Sequence, residues 1–508
     1  MNRRQLLVRA GALGAMATVA PGFWRAALSA PAQPGESPYG PLLDPDENGV
    51  MVPEGFTTRI VATSLAPVPG TDHLWHPFPD GGACVPTDDG GWLYVSNSEN
   101  PPPVDIPGGT ELVAALGAAV PQMPTTGAVG VIRFAPDGAV VDAYSILTGS
   151  QSNCAGGLTP WGTWLSCEEW ESDADALSYA GGRVFECDPF DPSGAVDRPA
   201  LGRFKHEMAA ADPVRRQLYL SEDQDDGLLY RYTPPAGTWG SGAALEGGVL
   251  EALAMDGEGA VTWIRVADHM DPAAPNAPLR TSVPGATPFN GGEGIVYDDG
   301  HVYLATKGDD RIWDLDVEAQ RMTVLFDAAE HPEPVLSGVD NLAVSSVHDL
   351  YVSEDGGNLE VCVITPDRVV FPLVRLTGPQ HGFDQPTPIP FVSEVTGLAL
   401  SPDGNRLYLN SQRGMGIEGL PTGPGPGILY EVTGPFRGGT LAASAGPAPA
   451  PLPAPAPLPA PAPASPSVAG GQLPATGAAI PLAGAGVAAA AGAALLHLRR
   501  RTERPPAR

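Results

Sequence analysis

The chain repeats one pattern of apolar and polar positions through most of its length. Each unit begins with a short segment that carries glycine or an acid, continues with an apolar stretch of the Leu-Tyr type, and ends with a further apolar stretch after a polar step. The six starts lie at residues 80–84, 153–157, 205–209, 291–295, 339–343 and 393–398. Asp-Gly pairs such as Asp137-Gly138 and Asp299-Gly300 separate short alternating stretches, which is typical of β-hairpins.

Short strands that recur about every 40 to 50 residues predict an all-β fold of the β-propeller class. Six units predict six blades, with five or seven as alternatives. One propeller also explains how about 400 residues form a single domain where length alone suggests two or three. Residues 101–125 and 268–290 interrupt the repeat, and we interpret them as loop insertions that could cover the mouth of the channel.

The N-terminus does not share the repeat. Residues 1–33 combine the pair Arg3-Arg4, an apolar Ala/Gly stretch and small-residue cleavage sites, which is the order of an export signal. The arginine pair resembles the twin-arginine type of signal. An ordinary secretory signal and an uncleaved anchor are the alternatives. The propeller domain is therefore expected at residues 34–440.

The C-terminus is unlike the repeat as well. Residues 441–472 are rich in Pro and Ala and predict an extended stalk. Residues 473–508 contain Leu473-Pro474-Ala475-Thr476-Gly477, an apolar stretch long enough to cross a bilayer, and an arginine cluster. This order resembles a sortase sorting signal, with a plain tail anchor as the alternative. It implies cleavage after Thr476, attachment to peptidoglycan at the surface of a Gram-positive-type cell, and membrane contact only before cleavage.

Composition changes this picture chiefly through charge. The 508 residues include 28 Lys and Arg against 58 Asp and Glu, a formal net charge of -30, and the only lysines are Lys205 and Lys307. Such a surface argues against nucleic acid and anionic lipid as partners, and it favours metal cations. The 63 Gly and 58 Pro exclude a long-helix or coiled-coil protein.

The repeat starts bring metal-binding residue types to the channel, because the first strand of each propeller blade lines it. Five successive starts carry one thiol or carboxyl each: Cys154, Glu207, Glu293, Asp340 and Glu394. Converging like charges repel, so we expect the channel to hold cations. Carboxylates favour calcium and a thiolate favours a transition metal. The acids that follow the second strands are either further ligands at the channel rim or solvated turn residues. Of these acids, we include Glu168 and Glu222 among the ligands. The remaining acids at this position are Glu99, Glu169, Asp223, Glu354 and Asp355.

Several of these segments resemble the PhoX-type alkaline phosphatases. The resemblance runs from about Asp44 to Phe436, and its motifs are residues 153–169, 202–207, 339–341 and 394–404. It implies a propeller with iron and calcium in its channel, which hydrolyses phosphomonoesters and is exported by the twin-arginine route. It further implies that Cys154 is an iron ligand and that Glu207 and Glu293 are metal ligands. Asp340 and Glu394 match acidic positions of the same cluster.

One segment departs from the family pattern. The chain has Gly291-Gly292-Glu293 where family members commonly have Arg-Pro-Glu, and that arginine is expected to bind the substrate phosphate with two parallel hydrogen bonds. Its absence predicts weaker phosphate binding or lost activity, for which Lys307 or Arg413 could compensate. We therefore assign Glu293, Lys307 and Arg413 to the catalytic site, with metals that clamp the phosphate and activate a bound water.

Two other functions fit the same sequence. Calcium-containing propellers also hydrolyse lactones and other esters, and a non-catalytic wall-anchored propeller could bind protein or glycan. The chain lacks a Gly-x-Ser-x-Gly elbow, a phosphate-binding P-loop and a His-Glu-x-x-His motif. Of the five cysteines, Cys154 is the candidate ligand, and the other four could pair or be buried as small apolar residues.

Overall fold

Six sheets make up the described part of the chain, and all of their strand pairs are antiparallel except β1 with β24. The structure, a computed structural model, describes residues 31–100, 127–171, 181–267, 269, 278–381, 393–413 and 427–441. Contacts between Cα atoms divide the chain into residues 1–447 and 448–508, and every described residue belongs to the first unit. The predicted export signal before residue 31, the insertion at 101–125, and the stalk and sorting signal after residue 441 lie outside the described residues.

The strands follow the repeat units of the sequence. They are β1 (Gln33–Pro34), β2 (Val50–Met51), β3 (Thr57–Thr63), β4 (Pro79–Pro86), β5 (Trp92–Ser98), β6 (Gly127–Phe134), β7 (Val140–Ser150), β8 (Asn153–Leu158), β9 (Trp164–Glu168), β10 (Val184–Cys187), β11 (Val196–Asp197), β12 (His206–Asp212), β13 (Gln217–Glu222), β14 (Leu229–Thr233), β15 (Val249–Met255), β16 (Val261–Arg265), β17 (Gly292–Asp298), β18 (His301–Thr306), β19 (Arg311–Asp316), β20 (Arg321–Asp327), β21 (Val339–Val344), β22 (Leu350–Glu354), β23 (Glu360–Ile364), β24 (Val369–Leu376), β25 (Val395–Leu400), β26 (Arg406–Ser411) and β27 (Ile428–Thr433).

Six short 3-10 helices connect some of these strands. They are Pro199–Leu201, Gly242–Leu245, Leu279–Ser282, Lys307–Asp309, Ala328–Glu330 and Pro379–His381. Among the described residues, no helix is long and apolar enough to cross a membrane.

Each sheet is one blade. Blades 1, 2 and 4 pair four consecutive strands in chain order, beginning with β4, β8 and β17. Blade 5 pairs β21 to β24 in the same way, and β1 and β2 add to its outer strand β24. Blade 3 begins with β12 and adds β16 as a fifth strand. Blade 6 takes β25, β26 and β27 from the end of the repeat and β3 from its beginning. The prediction of an all-β, six-bladed propeller is confirmed, and β3 closes the ring by pairing with β27 from Thr57↔Thr433 to Thr63↔Ile428.

The repeated Leu-Tyr stretch forms the core between the blades. It occupies the second strand of each sheet, and the tyrosines at this position include Tyr94, Tyr219, Tyr351 and Tyr408, all 0% exposed. The rings of Tyr94 and Tyr408 lie 5.1 Å apart, so they join blade 1 to blade 6. Because aromatic side chains bury much apolar surface, the same repeat that indicates the strands also supplies the packing between them.

The first strands form the inner ring. β4 contacts β8 and β25, β12 contacts β8 and β17, and β21 contacts β17 and β25. This closed cycle of contacts runs through the first strands of all six blades, as expected for the innermost strands of a propeller. The residues of the repeat starts therefore line the channel.

Candidate metal centre in the channel

A β-bulge near the start of every first strand sets the direction of the channel side chains. At each bulge, two residues of the first strand oppose one residue of the second, which bends the strand and re-aims its side chains. In five blades the first bulge residue carries a thiol or a carboxyl, and we name these residues the inner tier: Asp80, Cys154, Glu207, Glu293 and Asp340.

Blade 6 departs from this arrangement. Its bulge lies between Thr396 and Ala399, and the first bulge residue is Gly397. Gly397 has a φ of +68°, and a Cβ atom there would collide with Asn410 Nδ2, so no side chain fits. The acid of this blade is Glu394, three residues earlier in the chain. From the sequence, Glu394 was expected at the same place in its repeat unit as the other four residues, and the structure corrects this.

A second ring of side chains follows the second strands. In five blades the residue after the strand donates its backbone N–H to the carbonyl oxygen two residues before the inner-tier residue, as in Asp223 N to Lys205 O at 3.2 Å and Lys307 N to Gly291 O at 2.9 Å. We name these residues the outer tier: Glu99, Glu169, Asp223, Lys307 and Asp355. Four of them are acids, and blade 4 alone among the five has a cation.

Among the described residues, members of the two tiers form four clusters, the last of them together with Glu394 of blade 6, and in each cluster one ligand atom per residue lies within 4.8 Å of the others. In order around the channel, the clusters are Asp80, Glu99 and Cys154; Cys154, Glu169 and Glu207; Glu207, Glu293 and Asp340; and Asp340, Asp355 and Glu394. Neighbouring clusters share one residue, so Cys154, Glu207 and Asp340 each belong to two. The arrangement is a continuous arc of donors, which could hold several cations side by side.

Glu207 has the most demanding position in the arc. Its side chain is fully buried, and neither carboxylate oxygen has a hydrogen-bond partner. Burial raises the pKa of Glu207 well above its ordinary value, and the charges of Glu293 and Asp80 raise it further. An ionised carboxylate without partners is costly in such a place, whereas a bound cation would satisfy both oxygens.

Cys154 is likewise buried beside acidic side chains. Burial raises the pKa of its thiol well above the ordinary value, and the charges of Asp80 and Glu207 act in the same direction. A thiolate forms there only if a cation compensates these charges, and thiolates bind transition metals strongly. The residues therefore fit a thiolate-bound metal together with carboxylate-bound cations.

Two basic side chains reach the arc. Lys307 Nζ lies 2.6 Å from Glu293 Oε1 and 3.1 Å from Asp355 Oδ2. Burial alone would lower the pKa of Lys307, but the charges of Glu293 and Asp355 raise it well above its ordinary value, so the ammonium stays charged. One Arg413 guanidinium nitrogen lies 2.9 Å from Glu394 Oε1. The structure thus places both basic residues from the sequence analysis beside candidate ligands.

Comparison with known proteins shows which family and which solved structures this chain resembles. Residues 126–323 match the family model described as Alkaline phosphatase PhoX. The resemblance to PhoX is confirmed. Pseudomonas fluorescens PhoX in complex with vanadate matches with a TM-score of 0.58 and 20% identity, over 81% of this chain and 98% of that one. At that identity the match shows a shared fold.

Other matches are weaker. A gluconolactonase from Xanthomonas campestris matches with a TM-score of 0.40 and 12% identity, over 78% of this chain and 98% of that one. A structural genomics protein of unknown function from Bacteroides thetaiotaomicron matches with a TM-score of 0.41 and 8% identity, over 74% and 76% of the two chains. No curated protein matches the chain.

Gly291, for which the sequence predicted a departure from the PhoX pattern, lies directly beside Lys307. Gly291 has a φ of +69°, a conformation that side chains rarely adopt, and a Cβ atom there would lie 3.3 Å from Asp223 Oδ1. Its carbonyl oxygen accepts the N–H of Lys307. The residue that faces Gly291 at the end of the neighbouring strand is therefore a cation, Lys307.

Glu168 and Glu222 do not belong to the arc. Glu168 accepts hydrogen bonds from the backbone N–H groups of Gln151 and Arg183 at 3.0 and 3.2 Å. Glu222 accepts from Leu228 N, Tyr230 Oη and an Arg280 guanidinium nitrogen. Consecutive residues of an extended strand point to opposite sides, so the side chains that face the channel are those of the next residues, Glu169 and Asp223. The structure therefore replaces Glu168 and Glu222 as candidate ligands.

Asp80 is a candidate ligand that was not named from the sequence, whereas Glu99, Glu169 and Asp355 were named there only as possible rim ligands. Asp80 stands at the first repeat start, immediately before Gly81-Gly82, and Gln412 Nε2 donates to its Oδ2 at 2.6 Å. Burial raises the pKa of Asp80 well above its ordinary value, and the charge of Glu99 adds to this. Asp80 could have been predicted from the sequence, because it precedes the apolar stretch of the first repeat unit as the other ligands precede theirs.

The insertion at 268–290 is described only in part. Its residues 278–290 include Arg280, which contacts Glu222 at 2.9 Å and Asp226 at 2.6 Å. This segment therefore packs on blade 3 beside the outer tier.

Proposed function

We propose that this protein is a metal-dependent phosphatase that hydrolyses phosphomonoesters with the help of cations bound in the propeller channel. The strongest support is Glu207, whose two oxygens are buried without partners where two clusters meet. The match of residues 126–323 to alkaline phosphatase PhoX suggests the reaction.

The donor set divides by chemistry. The clusters that contain Cys154 would hold a transition metal, for which we propose iron, because only these two of the four clusters contain a thiol, which binds such a metal as the thiolate. The clusters formed by Glu207, Glu293, Asp340, Asp355 and Glu394 offer only carboxylate oxygens and suit calcium. When bound, these ions would supply Lewis-acid activation and would neutralise negative charge on the phosphoryl group.

Lys307 and Arg413 stand on either side of the last carboxylate cluster. Positive groups that are already in place stabilise the charge that develops on phosphoryl oxygens, because they need no reorganisation during the reaction. The guanidinium of Arg413 can donate two parallel hydrogen bonds to a phosphate, and the ammonium of Lys307 adds a compact charge. We assign phosphate binding to these two residues, and to Glu293 the orientation of Lys307 through its 2.6 Å contact.

Metal analysis combined with activity assays tests the proposal. Elemental analysis of the purified protein should find iron and calcium, and the protein should release phosphate from 4-nitrophenyl phosphate. Chelation of calcium should stop the release, and added calcium should restore it. Calcium without iron, with turnover only of a lactone, would favour the ester hydrolase. Metal without turnover of either substrate would favour the binding propeller.

We also propose that the protein is exported and attached to the cell wall. The order of Arg3-Arg4, Pro/Ala stalk, Leu-Pro-Ala-Thr-Gly segment, apolar stretch and arginine cluster supports this location. The stalk would hold the propeller away from the wall, where phosphorylated small molecules outside the cell could reach its channel.

A further inference from the structure

The only two lysines of the chain both lie beside the channel, but in different states. Lys307 is paired with Glu293 and Asp355. Lys205 precedes the inner-tier residue Glu207 by two positions, and its carbonyl oxygen accepts the N–H of Asp223 at 3.2 Å. Its side chain is half-buried, and it forms no ion pair with any residue that the structure describes.

An aromatic ring holds this ammonium group. Lys205 Nζ lies 5.4 Å from the ring centroid of Trp170, within the range of a cation–π contact. Trp170 directly follows Glu169 of the outer tier and is also half-buried. A carboxylate partner would neutralise the charge of the ammonium group. A cation–π contact orients the ammonium but leaves its charge in place. The charge of Lys205 is therefore still available to an anion.

The ammonium of Lys205 also influences two acids electrostatically, Glu169 and Glu171. Burial raises the pKa of Glu169 well above its ordinary value and the charge of Asp223 adds to this, whereas the charge of Lys205 opposes it. Burial also raises the pKa of Glu171, against the charges of Arg203, Arg280 and Lys205. In a chain of net charge -30, a lysine that stands among acids but forms no direct pair with any described residue can offer its charge to a ligand.

We propose that Lys205 and Trp170 form a subsite for a second anionic group of the substrate, a carboxylate or a further phosphate on the alcohol part. This inference rests on the proposed phosphatase function. The scissile phosphate is assigned to the metal clusters, Lys307 and Arg413. Lys205 belongs to the backbone position that faces the outer tier in blade 3, so it meets the part of the substrate that extends from the metal centre. The preferred substrates are then small phosphomonoesters with two anionic groups.

Three substrate series test the subsite: n-alkyl phosphates, carboxyalkyl phosphates with a terminal carboxylate, and alkanediol bisphosphates, each with two to five carbons. The full-length protein should show a kcat/KM preference of about fivefold for the doubly anionic substrates at one or more lengths, chiefly through KM. K205M should bring this ratio to about one, and K205R should keep most of it. If the kcat/KM preference differs between the carboxyalkyl phosphates and the bisphosphates, the series with the larger preference identifies the anionic group that the subsite binds.

R265M is the matched control. Arg265 is exposed at the end of β16, the outermost strand of the same blade, so its loss changes the net charge equally but far from the channel. R265M should keep the wild-type ratio, and melting temperatures should show that all variants fold. An unchanged ratio in K205M, or equal turnover of all three series by the wild type, would overturn the subsite and leave the phosphatase function standing. Release of phosphate from no series would overturn both.

Discussion

Single residues decide which ligand chemistry the channel offers, and Cys154 is the clearest case. It is the only thiol in the four clusters, whereas Cys187 of the same blade is buried in the core away from them. C154S should therefore lose iron and reduce phosphatase activity by more than about 100-fold, because the serine hydroxyl is a poor ligand for a transition metal. Elemental analysis and phosphate release measure the two effects.

C187S is the control for that substitution. It removes a buried thiol of the same blade but no candidate ligand, so the iron content should stay at the wild-type level. Full iron in C154S would remove Cys154 from the metal site.

At the scale of single residues, the sequence already indicated most of the arc. Cys154, Glu207, Glu293 and Asp340 were predictable because each occupies the same place in a local repeat. Glu394 was predictable as an acid near a repeat start but not in its phase, since the bulge of blade 6 falls on Gly397. The strand register that decides this depends on hydrogen bonds to another strand.

At the scale of elements, the end of each second strand separates a structural acid from a channel acid. Glu168 accepts two backbone N–H groups, whereas Glu169 belongs to the second cluster. E168Q should destabilise the fold by about 1–3 kcal/mol, because one of its oxygens becomes a donor opposite a backbone donor. Its metal content should be retained.

E169Q is the complementary variant on the neighbouring residue. It should lose metal or activity while the melting temperature of the metal-free protein stays close to that of the wild type, because this side chain faces the channel. Metal content and the melting temperature of the metal-free protein are measured for both variants. If E168Q lost metal and E169Q lost stability, the direction of the strand end would be the reverse of the one described.

The closure of the ring is the element-scale feature that the sequence did not indicate. β3 carries no mark that assigns it to blade 6, and it pairs with a strand at the other end of the propeller. The guanidinium of Arg59 donates two hydrogen bonds to Glu431, at 2.9 and 2.7 Å, across 372 positions of the chain. Periodicity reports local structure, so a pairing over such a distance is not contained in it.

At the scale of the whole molecule, the net charge of -30 predicts a fold whose stability depends on cations. Burial raises the pKa of Asp340 from 3.8 to about 7, and burial also raises the pKa values of Glu207, Glu293 and Glu394. A carboxyl whose pKa is raised by folding binds its proton more tightly in the folded state. The metal-free protein should therefore lose stability as the pH rises from about 4 through about 7.

Calcium should reverse this dependence, because a ligand that binds only the folded state raises the unfolding free energy. Melting temperatures measured across that pH range, with a chelator and with calcium, test the prediction. The two curves should separate as the pH rises, and parallel curves would contradict a metal site built from these carboxylates. Potassium chloride at matched ionic strength is the control for general screening of charge.

The location of the whole molecule can be tested at Thr476. If the C-terminal segment is a sortase signal, T476A should stay in the membrane fraction, whereas the wild type should be released from the wall by lysozyme digestion. S465A, which changes a residue of the stalk outside the five-residue segment, should behave like the wild type. Release of T476A with the wall would exclude attachment through this threonine.

The sequence by itself determined the all-β class, the six repeat units and the concentration of acids at their starts, because these features repeat locally and side-chain alternation follows directly from strand geometry. Only the tertiary structure decided that β3 completes blade 6, that Glu169 rather than Glu168 faces the channel, and that Lys307 and Arg413 reach the carboxylates. Each of these depends on strand register and on contacts between distant segments. A shift of the register by one residue turns every side chain of a strand to the opposite face.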